Sequence, residues 1–146
     1  MAQLKITKHI RAPKEYVYRW WTDLREDDAE RVVPLASRNV VKRSDDQIVV
    51  EDVVKILGRT MKYLCKVDLY PPSKWVANYS GKVADATSTY MLFDEDGYTR
   101  MEYSSEIKPK GIFTKLALPL VKFAIKRIFS KEMDEYNSRL EAEWRT

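Results

Sequence analysis

Residues 60–108 read TMKYLCKVDLYPPSKWVANYSGKVADATSTYMLFDEDGYTRMEYSSEIK, and their periodicity decides the fold. In 60–70, Met61, Tyr63, Cys65, Val67 and Leu69 share one face, while Lys62, Lys66 and Asp68 take the other. In 98–108, Met101, Tyr103, Ser105 and Ile107 alternate with Arg100, Glu102, Ser104 and Glu106. A period of two with one polar face is the pattern of an antiparallel sheet covered on one side. Turn-forming residues separate the runs: Pro71-Pro72-Ser73, Gly81 and Asp94-Glu95-Asp96-Gly97. Moving outward, Asp45-Asp46 and Gly58 punctuate the upstream sequence and Lys110-Gly111 closes the downstream end. The reading predicts six consecutive strands, at 37–44, 47–57, 60–70, 74–80, 86–94 and 98–108. An earlier strand at 3–11 alternates Leu4, Ile6 and Ile10 with Thr7, His9 and Arg11.

Helices fill the remaining gaps. Pro13 suits a first helical turn, where its missing N–H costs nothing, and Val17, Trp20, Trp21 and Leu24 follow at helical spacing. That predicts a helix over 13–24. A second, over 26–33, opens with Glu26, Asp27 and Asp28, acids that favour a helix N-terminus. The segment 112–145 is helical throughout but shows two apolar arcs. At about 100° per residue, the first centres on Phe113, Ala117, Leu120, Ala124 and Ile128, and the second on Phe129, Met133, Tyr136, Leu140 and Trp144. One straight helix cannot turn both arcs to the same sheet, so a kinked or split helix is expected, broken at Pro119 and near 128–131.

The chain has 146 residues, 33% charged and 45% hydrophobic, which fits one domain with a real core. There is no internal repeat and no Ser/Gly-rich linker, so a single domain over 1–146 is expected. The lone cysteine, Cys65, forms no internal disulfide, and the expected location is the cytoplasm. One histidine, His9, makes a zinc site or a His-centred triad improbable. No metal and no cofactor is expected, because nucleotide-binding glycine loops, metal-ligand spacings and nucleophile elbows are all missing. The net charge of +4 hides a segregation. Lys108, Lys110, Lys115, Lys122, Lys126, Arg127 and Lys131 fall in a stretch without a single acid, interleaved with apolar residues. Such basic amphipathic segments lie on anionic membranes, so peripheral membrane contact through Lys115, Lys122, Lys126 and Arg127 is one expectation. A homodimer contact and an ordinary solvated face are the others. Nucleic acid is not expected, since the acids from Glu132 to Glu143 repel phosphate.

Two ionisable residues share faces with apolar neighbours. Asp52 alternates in phase with Ile48, Val50, Val54 and Ile56, and Lys8 with Leu4, Ile6 and Ile10. Burial would shift their pKa values and make them candidate general acids or bases. The plainer alternative buries Val49, Val53 and Leu57 instead and leaves Asp52 in water. Cys65, on the inward face, reads as a small apolar residue, and His9 as an exposed strand residue. Tyr63, Trp75, Tyr79, Tyr90 and Tyr103 read either as a packed aromatic core or, with small neighbours Ala77 and Ser105, as the lining of a pocket.

Strand, two short helices, a six-strand meander and a long last helix give an order that resembles the START-like or SRPBCC superfamily. Ile10, Ala12, Pro13, Val17, Tyr18, Thr22 and Asp23 are similar to that family's opening motif. Pro71-Pro72 followed by Trp75, and Leu140 with Glu143, also fit. The sequence departs where the family often has a tryptophan before the proline ending the second helix; here the stretch is Arg31, Val32, Val33, Pro34. The resemblance implies an α+β helix-grip fold: a curved, seven-stranded antiparallel sheet wrapped around a long, kinked C-terminal helix, with a central cavity. It implies a hydrophobic small-molecule ligand such as a lipid, isoprenoid quinone or polyketide-like compound. The expected lining is Trp20, Tyr63, Trp75, Tyr79, Tyr90, Met101, Tyr103, Ser105, Leu116, Leu120 and Phe123. Carriage of such a ligand, a polyketide cyclase or dehydratase activity, and a membrane or interaction module are the three functions to separate. A monomer or a homodimer suits each of them.

Overall fold

The computed structural model describes residues 2–30, 35–56 and 58–146. Its elements follow in the order β1 (Ala2–Ile10), α1 (Lys14–Thr22), a 3-10 turn (Glu26–Glu30), β2 (Leu35–Arg43), β3 (Gln47–Ile56), β4 (Arg59–Tyr70), β5 (Lys74–Gly81), β6 (Ala84–Glu95), β7 (Tyr98–Pro109) and α2 (Ile112–Arg145). The seven strands form one sheet in the order β1-β7-β6-β5-β4-β3-β2, with every pair antiparallel. The meander is closed by the first strand, which lies along the last from Ala2 opposite Ile107 to Ile10 opposite Thr99.

The alternation in 60–70 and 98–108 sets the faces as expected: Cys65, Val67, Met101, Tyr103, Ser105 and Ile107 are buried while Lys66, Glu102 and Ser104 are exposed. On β3 the inward set is Ile48, Val50 and Asp52, so the reading that leaves Asp52 in water is corrected. The register explains it, because Val50 pairs with Cys65 and Asp52 with Tyr63, both on the inner face of β4. Two apolar clusters make the core. One joins Ile10, Val17, Val50, Trp75, Met101 and Leu140 under α1, and the other joins Leu4, Ile6, Tyr103, Ile107, Leu118 and Met133 beneath α2.

Three helical expectations change. Pro13 stands at the N-cap of α1, one residue outside it, and the carbonyl of Pro13 accepts from the Val17 N–H. The second helix is a 3-10 turn over Glu26–Glu30, and the remainder of the expected 26–33 lies outside the described residues, with the Arg31–Pro34 departure. The third change is the largest. α2 is a single helix of 34 residues, continuous through Pro119 and through 128–131. It is not split, because its inward face is one stripe from Leu118 to Leu140: Leu118, Val121, Ile125, Phe129, Met133, Tyr136 and Leu140, spaced by three or four residues. The arc centred on Phe113 and Leu120 is a second apolar face turned to solvent. Pro119 is on the exposed side as well, and its missing N–H leaves the Lys115 carbonyl without its helical donor.

Candidate ligand cavity

Between the sheet and α2 lie two adjoining cavities, of about 680 Å³ and about 300 Å³. Both are in the range of small-molecule sites. The larger is reached by residues from β2 through β7, so the sheet bends round the helix. Its α2 wall is Phe113, Ala117, Leu118, Val121, Ile125, Phe129 and Met133. Opposite stand Met61, Tyr63, Ala86, Tyr103 and Ile107. The smaller is ringed by aromatics, including Trp20, Trp21, Trp75 and Tyr136. Trp21, Arg38, Tyr79, Tyr90 and Glu132 line both and form the waist between them.

The aromatic rings hold one another in place. Trp75 and Tyr90 stack with centroids 4.8 Å apart, and Tyr90 meets Tyr103 edge-on at 5.0 Å. Trp21 leans on Trp75, Tyr90 and Tyr136, and its indole N–H donates to Asn137 Oδ1 at 2.9 Å. A polar thread crosses the larger wall: Ser88 Oγ is 3.1 Å from the Tyr103 hydroxyl and donates to Ser105 Oγ at 3.2 Å. Gly81 is required beside Tyr63, since a Cβ there would lie 2.6 Å from that ring.

The charged end of the cavity is built on Arg38. Its Nε and Nη2 donate to the two oxygens of Asp52, at 2.9 and 3.0 Å, and Nη1 donates to Asp28 at 2.8 Å. This bidentate geometry is what arginine offers a carboxylate. Burial works against the Arg38 charge, but the bonds to Asp52 prevail and hold the guanidinium protonated. Asp28, half-enclosed beside it, is raised by burial. Glu132 reaches the waist from α2 with no hydrogen bond or ion pair among the described residues. Burial, only partly offset by Arg38, pushes its carboxyl up to about 8. The thiol of Cys65 is pushed up to about 12 by burial, which excludes a thiolate nucleophile. Tyr79, Tyr90 and Tyr103 are raised by the same cause and remain phenols.

Of the expected lining residues, the structure brings Trp20, Tyr63, Trp75, Tyr79, Tyr90, Tyr103 and Ser105 onto cavity walls. Met101 is corrected: it is wholly enclosed in the core beside Val17 and Leu92 and reaches neither cavity. Leu116, Leu120 and Phe123 are corrected too, being 68%, 84% and 82% exposed on the outer face of α2. The phase of the stripe explains this, since the residues between them, Leu118 and Val121, take the inward positions. Asp52 is 5% exposed and lines the larger cavity, but its carboxylate is engaged by Arg38. Lys8 points away from both cavities, to Ser130 Oγ and Asp134, each at 2.8 Å. His9 is exposed and sits 3.7 Å from Glu95. Arg38 and Glu132 were not evident from composition or motifs. A readable signal existed for Glu132, an acid standing in phase with Phe129, Met133 and Tyr136.

No cluster of three or more metal-ligating side chains occurs among the described residues, and no helix there is long and apolar enough to cross a membrane. The front of α2 instead carries Lys115, Lys126 and Arg127 exposed beside its outer apolar face, with Lys122 half-buried.

No family model and no curated protein matches the sequence. Solved structures do match in shape. A protein from Thermus thermophilus superposes with a TM-score of 0.86 at 20% identity, over 97% of this chain and 99% of that one. The ZhuI aromatase/cyclase from Streptomyces sp. R1128 gives 0.85 at 13% identity, over 96% and 93%. A START superfamily protein from Mycobacterium smegmatis gives 0.69 at 14%, over 98% and 97%. Likeness at these identities concerns architecture: the chain has the helix-grip fold that these structures share.

Proposed function

We propose that the protein binds and carries a hydrophobic small molecule in the larger cavity. The observation that carries the reading is the cavity itself, about 680 Å³ of space walled mainly by apolar side chains of α2 and the inner sheet face. An apolar volume of that size offers a bound hydrophobic molecule dispersion contacts on most of its surface. The smaller, aromatic cavity extends the room beyond the waist. Native mass spectrometry of freshly purified protein tests the reading, with the expectation of a copurifying apolar molecule in the mass range of lipids or polycyclic compounds. Protein that is consistently empty and fails to take up any apolar probe removes it.

A cyclase or dehydratase is the second reading, and it is favoured by the shape shared with a protein named as an aromatase/cyclase. Here its acid–base residue would not be Lys8, which faces Asp134, nor a free Asp52, which is bound to Arg38. Glu132 is the carboxyl group at the waist that Arg38 leaves unbonded.

The outer face of α2 fits the surface of an anionic membrane as the place of loading. Ile112, Phe113, Leu116, Leu120 and Phe123 are 68–84% exposed and fall within an arc of about 100°. Lys115, Lys122 and Lys126 lie about 40–80° to one side of it, and Arg127 continues it. Phe113 belongs both to this face and to the cavity wall, so the face leads to the mouth.

A further inference from the structure

The waist between the two cavities has an unbalanced charge. Arg38 is bonded to Asp52 and Asp28, two carboxylates against one guanidinium, so among the described residues no net positive charge remains there to attract an anion. Among the described residues the other cations on the walls are peripheral: Arg25 is tied to Asp27, and Arg59 is exposed at the start of β4. Glu132 faces this cluster from α2. The groups around it are Arg38 of β2, Asp52 of β3, Tyr90 of β6, Tyr103 of β7, and Glu135 and Tyr136 of its own helix. Only one of these is a cation, and that cation is already bonded twice to Asp52. A second negative charge at Glu132 would stand unpaired in a low-dielectric pocket, an arrangement the protein avoids by keeping the proton. A neutral carboxyl has an O–H to donate. The hydroxyls of Tyr79 and Tyr90 are on the same shared wall.

We propose that Glu132 determines ligand specificity: its neutral carboxyl group donates a hydrogen bond to an uncharged oxygen acceptor, such as a ketone or quinone carbonyl, on the bound molecule. The cavity then takes neutral, carbonyl-bearing apolar molecules and rejects anionic amphiphiles of the same size. This inference rests on the carrier reading and adds to it the chemical class of the cargo. The charge of Glu132 also makes uptake pH-dependent. Its carboxyl is protonated through neutral pH and ionises near 8, so a carbonyl ligand loses its donor as the solution becomes alkaline.

The test uses three naphthalene dyes of similar size on the full-length protein. Prodan is a neutral ketone whose emission moves to longer wavelength when the carbonyl accepts a hydrogen bond. Anilinonaphthalene sulfonate is its anionic counterpart, and a naphthyl trimethylammonium is its cationic one. Each is titrated with Leu120→Ser and Phe123→Ser in the background, which strips dye from the outer face of α2. Prodan is expected to bind at least tenfold more tightly than the sulfonate at pH 7, with hydrogen-bonded emission, and to weaken several-fold by pH 9.5. Glu132→Gln, neutral at every pH and still a donor, is expected to keep binding and abolish the alkaline loss. Glu132→Leu is expected to lose the emission shift and roughly tenfold in affinity. Equal binding of sulfonate and ketone, tighter binding of the ammonium dye, or the same alkaline loss in Glu132→Gln overturns the inference while leaving the carrier reading intact. Failure of every dye to bind removes both.

Discussion

At the scale of single residues, Asp52 is buried as its alternation indicates and is held by an arginine that the alternation does not show. Its alternation with Ile48 and Val50 is a true sign of burial, but the partner that neutralises it, Arg38, is remote in sequence and polar-flanked. Only the β2–β3 register, which places Arg38 opposite Asp52, reveals the pair. Replacing Asp52 by Asn leaves a buried guanidinium with half its charge compensation removed. The expected cost is roughly 2–4 kcal/mol in urea unfolding. Lys8→Met, whose partner Asp134 is 62% exposed, should cost under about 1 kcal/mol. Glu132 makes the opposite prediction. A carboxyl whose folded pKa is raised binds its proton more tightly in the native state, so stability falls as pH climbs from the unfolded value of 4.5 to about 8. Glu132→Gln is therefore expected to stabilise the protein by roughly 2–4 kcal/mol at pH 8 and above, and by almost nothing at pH 4. Thermal melts of both proteins across that range check it, and a constant difference between them would contradict the buried carboxyl.

At the scale of elements, strands were far more legible than the last helix. Each strand carries its face in a period of two, and one buried alternation such as Met101, Tyr103, Ser105, Ile107 leaves a single choice of side. A helix with apolar residues on two faces offers no such choice. In 112–128 the outer arc contains Phe113, Leu116, Leu120 and Phe123, larger and more numerous than the inner Leu118, Val121 and Ile125. Counting apolar residues selects the wrong arc, and the apparent rotation at 128–131 follows from that error. The phase is fixed downstream, where Met133, Tyr136 and Leu140 have polar neighbours and one reading only. The cavity lining inherits the same division: residues on strands, Met101 apart, were legible from alternation, while those on α2 were not. Leu140→Ala, wholly buried, should cost roughly 2–5 kcal/mol, whereas Leu120→Ala on the outer face should change stability by less than about 0.5 kcal/mol. Denaturant unfolding of the two variants separates the arcs directly.

At the scale of the whole molecule, the first half of α2 combines acid-free basic charge with exposed apolar surface. Seven cations and no acid lie between Lys108 and Lys131, on the same stretch that bares Phe113, Leu120 and Phe123. The protein is expected to sediment with vesicles containing phosphatidylserine and not with purely zwitterionic ones. Reversal of Lys115, Lys122 and Lys126 to Glu should abolish that binding, at about 1 kcal/mol per cation before reversal adds repulsion. Binding that is unchanged by the reversal rejects the membrane surface, and concentration-dependent self-association of the native chain would assign the apolar face to a second copy instead.

The closure of the sheet by its first strand has a kinetic consequence. β1 cannot pair until β7 exists, roughly a hundred residues later in the chain, with Ala2 opposite Ile107. Lys8 and Arg11 then find their partners Asp134 and Glu141 further still, on α2. During synthesis β1 therefore waits, unpaired, until β7 has emerged. Such long-range closure makes for slow folding and prolongs exposure of the strand's backbone edge to other nascent chains. The outward Gln3, Lys5, Thr7 and His9 give that waiting edge a polar face, in keeping with a strand that must spend most of its early life alone.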